Sequence, residues 1–146
     1  MDELNAVVLN VESITVDGCN DASLTVLNLT QFVHLKELEV NDDSLSSVNE
    51  VYLIGLPELE RVMIGMNSFT KYKNSWGNDS TRHFYLKDCP QLKELMIGRY
   101  SFSDYSVIEI ENVEKLEVIE MGEMNEWSYN FRYASLELKS DIDALK

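Results

Sequence analysis

One hydrophobic phrase, returning about every two dozen residues, constrains this chain more than any other feature. Leu35, Leu38 and Val40 lie in the pattern LxxLxI, as do Leu59, Val62 and Ile64, then Leu92, Leu95 and Ile97, then Leu116, Ile119 and Met121. Val11, Ile14 and Val16 form a fainter copy. The starts at 11, 35, 59, 92 and 116 are 24, 24, 33 and 24 residues apart, so the long interval holds a nine-residue insertion. A fixed period of this size is the signature of a solenoid or array.

Each unit carries a second alternating phrase: Leu27 and Leu29, Val51 and Leu53, Phe84 and Leu86, Ile108 and Ile110. Alternation of this kind means a strand with one buried face. Between the two phrases stand glycine or an acid, a serine and one more apolar residue, Leu45, Phe69 or Phe102, a composition that marks turns. Leu56-Pro57 and Cys89-Pro90 close two of the units, because proline cannot donate to a ladder and biases its predecessor away from helix. One unit alone cannot enclose a core, so neighbouring units must bury each other's apolar residues in a shared column. A single solenoid domain over 1–146 is expected, with about five units, an insertion loop near 70–83 and little helix.

The segment from Leu59 to Phe69 reads LxxLxIxxNxF with Asn67 in the asparagine slot, and in this it resembles the conserved part of a leucine-rich repeat. The resemblance covers about residues 11–142, and is closest to the short repeats common in large proteins of protists and some bacteria. It implies a β-rich leucine-rich-repeat solenoid with parallel LxxLxI strands on the concave face and short strands or turns on the convex one. The other units hold Cys19, Asp43, Tyr100 and Met124 in the asparagine slot, so a continuous asparagine ladder is not expected. The alternative is a parallel β-helix, against which stand two strand phrases per unit where three would be needed.

Composition narrows the function. Twelve Lys plus Arg against 26 Asp plus Glu leave a formal charge of −14, which argues against a nucleic-acid partner because phosphates would be repelled. No stretch approaches the roughly 18 apolar residues of a membrane span, and the acidic opening MDELNAVVLN does not read as a signal peptide. A cytoplasmic setting is expected, or an extracellular one if a signal peptide has been removed, in which case Asn28 and Asn78 lie in sequons. Cys19 and Cys89 are too few for a disulfide framework, and Cys89 is expected to point inward as a small hydrophobe.

In LxxLxI the three apolar positions point inward, so the residues between them and just after them face solvent. Unit by unit that face presents Ser13, Thr15 and Asp17; Glu37, Glu39 and Asp42; Arg61, Met63 and Met66; Glu94, Met96 and Arg99; Val118, Glu120 and Glu123. Met63 and Met96 hold equivalent positions, with Met66 and Val118 near them and charge around them. Methionine surfaces adapt to partners, and arginine is enriched in contacts. The expected binding surface is therefore Arg61, Met63, Met66, Glu94, Met96, Arg99, Val118 and Glu120, taking a protein or peptide, against the plain alternative that a sheet must expose something.

The insertion, from Thr70 to His83, is locally basic through Lys71, Lys73 and Arg82 and carries Tyr72 and Trp76. A second irregular stretch holds Trp127, Tyr129, Phe131 and Tyr133. Tyr72, Trp76, Trp127 and Tyr129 are a candidate secondary surface; a self-packed loop and an extra strand covering the column are the structural readings of the same residues.

Catalytic patterns are sparse. His34 and His83 are the sole histidines, clustered Cys and His for zinc are missing, and no GxxxxGK or GxGxxG occurs, so no cofactor is expected. A carbohydrate-cleaving enzyme would need facing carboxylates, for which Glu37 with Glu39 or Glu94 with Glu120 are the candidates. The preferred expectation is noncatalytic protein binding, with that enzyme, or a structural spacer within a longer protein, as alternatives. The ends look weakly capped, so self-association through open solenoid edges is also expected.

Overall fold

The computed structural model describes residues 10–70, 79–103, 105–121 and 135–139. Among the described residues ten strands follow one another: β1 (Ser13–Val16), β2 (Val26–Asn28), β3 (Glu37–Val40), β4 (Glu50–Ile54), β5 (Arg61–Ile64), β6 (Asp79–Lys87), β7 (Glu94–Ile97), β8 (Tyr105–Glu111), β9 (Val118–Met121) and β10 (Ser135–Lys139). The odd strands make one sheet in the order β1-β3-β5-β7-β9, and the even strands make a second. Every pairing is parallel. With no helix among the described residues, the architecture is a β-solenoid-like stack of two-stranded coils.

The sequence period becomes the register. Ser13, Glu37, Arg61, Glu94 and Val118 stand side by side across the first sheet, so each equivalent residue of LxxLxI lies beside its counterpart. In the second sheet Val26, Glu50, His83, Val107 and Ser135 are aligned.

Alternation sets what is inside. Leu38, Val62 and Leu95 are buried, as are Val40, Ile64 and Ile97, while Leu35, Leu59 and Leu92 fill the layer just ahead of the strands. From the second sheet Val51 and Leu53, Phe84 and Leu86, Ile108 and Ile110 complete the column. Each such side chain contributes about 1.5–3 kcal/mol on leaving water. Ile119 on β9 is 41% exposed where Leu38, Val62 and Leu95 are closed.

The turns after β3, β5 and β7 use left-handed backbone twice each, at Asp43 and Leu45, Asn67 and Phe69, Tyr100 and Phe102. For Leu45, Phe69 and Phe102 this geometry costs about 1–2 kcal/mol each. Burial offsets it: all three are buried, and Phe69 stacks on Phe102 with ring centres 4.5 Å apart. Phe102 also meets Phe84 and Tyr105 edge-on. At the corner after each of β4, β6 and β8 a third left-handed residue occurs, Gly55, Asp88 and Asn112, residue types that accept positive φ.

The expected loop at 70–83 is corrected at its C-terminal end. Residues 79–83 belong to β6, which pairs with β4 and β8. Arg82, read from sequence as part of a locally basic insertion loop, lies in β6 and is 1% exposed. Its guanidinium donates to Ser46 O at 2.9 Å and Phe69 O at 3.4 Å and lies 5.5 Å from the centre of the Tyr105 ring. Carbonyl acceptors and an aromatic face supply the partners that a buried cation requires.

Candidate functional site

Outward positions of the first sheet form two rows along the stack. The first runs Ser13, Glu37, Arg61, Glu94 and Val118, and the second Thr15, Glu39, Met63, Met96 and Glu120. Met63 and Met96 are direct neighbours across β5 and β7. Both are half-buried. Beside them lies a shallow, mostly apolar depression of about 240 Å³ bounded by Glu39, Asn41, Asp42 and Gly65.

In the first row one guanidinium is shared by two carboxylates. Arg61 Nε donates to Glu94 Oε2 at 2.7 Å, and Arg61 Nη1 lies 3.7 Å from Glu37. Met66, in the turn after β5, is 37% exposed and has its amide held by Asp42 Oδ1 at 2.7 Å. Arg99 is half-buried, its guanidinium 4.9 Å from the centre of the Tyr100 ring. Val118 and Glu120 are exposed on β9. Arg61, Met63, Glu94 and Met96 thus form a contiguous group, flanked by Met66 and Arg99 in the turns and by Val118 and Glu120 on the next strand. Tyr72, Trp76, Trp127 and Tyr129 lie outside the described residues, as do the chain ends on which the self-association expectation rests.

Of the carboxylates named for an enzyme, Glu94 stands opposite Val118 and Glu120 opposite Met96, so the two acids are diagonal neighbours on one face of the sheet, with Glu94 engaged by Arg61. Glu37 and Glu39 share a face of one strand, with Glu37 engaged by Arg61. His34 contacts Glu58 at 2.5 Å in an exposed pair. His83 meets Tyr85 edge-on. The Cys89 thiol is buried and pushed up to about 11, chiefly by desolvation, which suits a packing role and disfavours the nucleophilic thiolate. Among the described residues no three His, Cys, Asp or Glu side chains are grouped to hold a metal, and no helix is long and apolar enough to cross a membrane.

One feature of the outer surface was missed in sequence. Tyr52 and Tyr85 stack on the second sheet with ring centres 5.4 Å apart, and the Lys87 ammonium lies 5.2 Å from the Tyr85 ring centre while pairing with Glu109 at 3.0 Å. Desolvation raises both phenol pKa values, helped at Tyr52 by Glu50 and at Tyr85 by Glu109. The Glu109 bond leads the upward shift of Lys87. The signal was a tyrosine between the two apolar residues of consecutive return phrases, Val51-Tyr-Leu53 and Phe84-Tyr-Leu86.

No family model matches the chain, and comparisons with curated proteins and with solved structures also find no match.

Proposed function

We propose that the chain is a leucine-rich-repeat-type solenoid whose β1-β3-β5-β7-β9 sheet holds a segment of a partner protein without catalysing a reaction on it. The repeat phrase LxxLxI and the two strands per coil support this class over a β-helix with three. The observation that carries the functional reading is the juxtaposition of Met63 and Met96 over an apolar depression with charged walls. Adaptable thioethers in a polar frame are the composition of a contact surface. Glu37 and Glu94 at this face are taken up by Arg61, which favours binding over glycoside cleavage.

The test is selection of binders from a displayed peptide library on the wild-type chain, followed by affinity measurement on the Met63→Glu/Met96→Glu double variant. Both positions are half-exposed, so the double variant should melt close to the wild type. Placing two charges where an apolar partner group docks should weaken the recovered binders by at least about tenfold. Binders that hold equally well to the double variant would sink this reading.

A further inference from the structure

The two rows of the sheet differ in how their charge is met. Arg61 sits between Glu37 and Glu94 in the first row and answers both. In the second row Glu39 and Glu120 bracket the two methionines, in the order Glu39, Met63, Met96, Glu120. Both glutamates are exposed, and neither forms an ion pair among the described residues. The methionine pair is therefore an apolar centre with an unanswered negative charge on each side.

Spacing turns this into a statement about the partner. Neighbouring strands lie about 4.8 Å apart, so three steps separate Glu39 from Glu120 by roughly 14 Å. In an extended peptide laid along the row, alternate side chains point the same way and recur about every 6.7 Å, so residues i and i+4 are roughly 13 Å apart. Residue i+2 then falls midway, over the junction of Met63 and Met96. We infer that the second row recognises an extended segment of the form cation-x-apolar-x-cation, with Lys or Arg meeting Glu39 and Glu120 and the apolar side chain seated between the methionines. The inference rests on the reading that this sheet is the working face, and adds to it the chemistry and spacing of the partner. The formal charge of −14 would speed the approach of such a segment but could not read its spacing.

The experiment uses fluorescein-labelled peptides at about 0.15 M salt, where long-range attraction is largely screened. The probe contains Lys-Ser-Leu-Ser-Lys. Its comparators are an isomer with the two lysines adjacent and a version with glutamates for lysines. The spaced lysine peptide should bind at least about fivefold tighter than its isomer and show no competitor in the acidic version. Glu39→Gln/Glu120→Gln should lower its affinity about tenfold, the effect of two partly exposed ion pairs, and Met63→Ser/Met96→Ser, which removes the apolar seat without adding charge, should lower it as well. Equal binding of the two lysine isomers, indifference to Glu39→Gln/Glu120→Gln, or absence of binding to the spaced peptide would overturn the inference. If library binders sensitive to Met63→Glu/Met96→Glu prove neutral or acidic, the working face stands and this partner chemistry falls; if no sensitive binder exists, both fall.

Discussion

The amide of Ser68 donates to Ser101 Oγ on the next coil at 2.9 Å, and Ser101 Oγ donates to Gly65 O at 2.5 Å. One coil back the relationship repeats, Ser44 N donating to Ser68 Oγ at 3.3 Å while Ser68 Oγ donates to Asn41 O at 2.8 Å. Gly18 N begins the series on Ser44 Oγ at 2.9 Å. A ladder of serines therefore ties the turns together, with all three side chains buried.

Ser68→Ala should be costly because it removes both ends of one link. The Ser44 amide loses its acceptor and Asn41 O its donor, and a buried polar group left unmade costs about 1–3 kcal/mol. Thermal unfolding should shift down by roughly 3–10 °C. Ser46→Ala, whose hydroxyl has no bond among the described residues, should move the melting point by less than about 2 °C. Equal shifts for the two variants would remove the ladder from the account of stability.

Gly98→Ala tests how closely the coils approach. A Cβ at Gly98 would lie 2.5 Å from Gly65 C and 2.6 Å from Met66 N, and these are backbone atoms that no side-chain rotation can move aside. The coils would have to separate, at a cost of about 1–3 kcal/mol or more. The strand bond from Gly98 N to Ile64 O, 2.7 Å long, should weaken with it. Denaturant unfolding should show a lower midpoint, and hydrogen exchange at the Gly98 amide should speed up.

Gly55 differs, because the demand there is on the backbone alone. Its φ is +67°, and an added Cβ would meet nothing within 4 Å. Gly55→Ala should cost about 1 kcal/mol through the left-handed conformation. Asp88 and Asn112 hold the same place in later coils with φ of 56° and 54°. Gly55→Asn should therefore recover part of the loss, readable as an intermediate denaturation midpoint.

Legibility followed the period. Leu38, Val62 and Leu95 hold the same place in the recurring phrase, at intervals of 24 and 33 residues, so their alignment, and with it the meeting of Met63 and Met96, could be read before any coordinates. The serines at 44, 68 and 101 recur just as regularly, but recurrence does not show which carbonyl a hydroxyl will find. Phe69 and Phe102 hid their left-handed backbone, since local propensity opposes it and only stacking between coils sustains it. Arg82 was misplaced because a lone arginine near a basic stretch is usually solvated; its carbonyl partners, at Ser46 and Phe69, come from other parts of two coils. At the candidate site the residues were legible, whereas the neutralisation of Arg61 by Glu94 and the shape of the depression depend on rotamers.

Cys89 provides a test of the closed column through pH. Its Sγ donates to Lys87 O at 3.3 Å and is buried, and its pKa moves from an ordinary 9.0 to about 11. Between those values the unfolded chain releases a proton that the folded chain keeps, so stability contributed by the neutral thiol is present below about pH 9 and lost as pH rises toward 11. Wild-type stability should thus fall more steeply over that window than that of Cys89→Ala, by about 2–3 kcal/mol across it. At pH 8 the folded thiol is ionised to about one part in a thousand. Ellman's reagent should accordingly titrate close to one thiol per native chain, from the half-buried Cys19, and two after unfolding; rapid reaction of both in the native state would show that the column opens at the Cys89 corner.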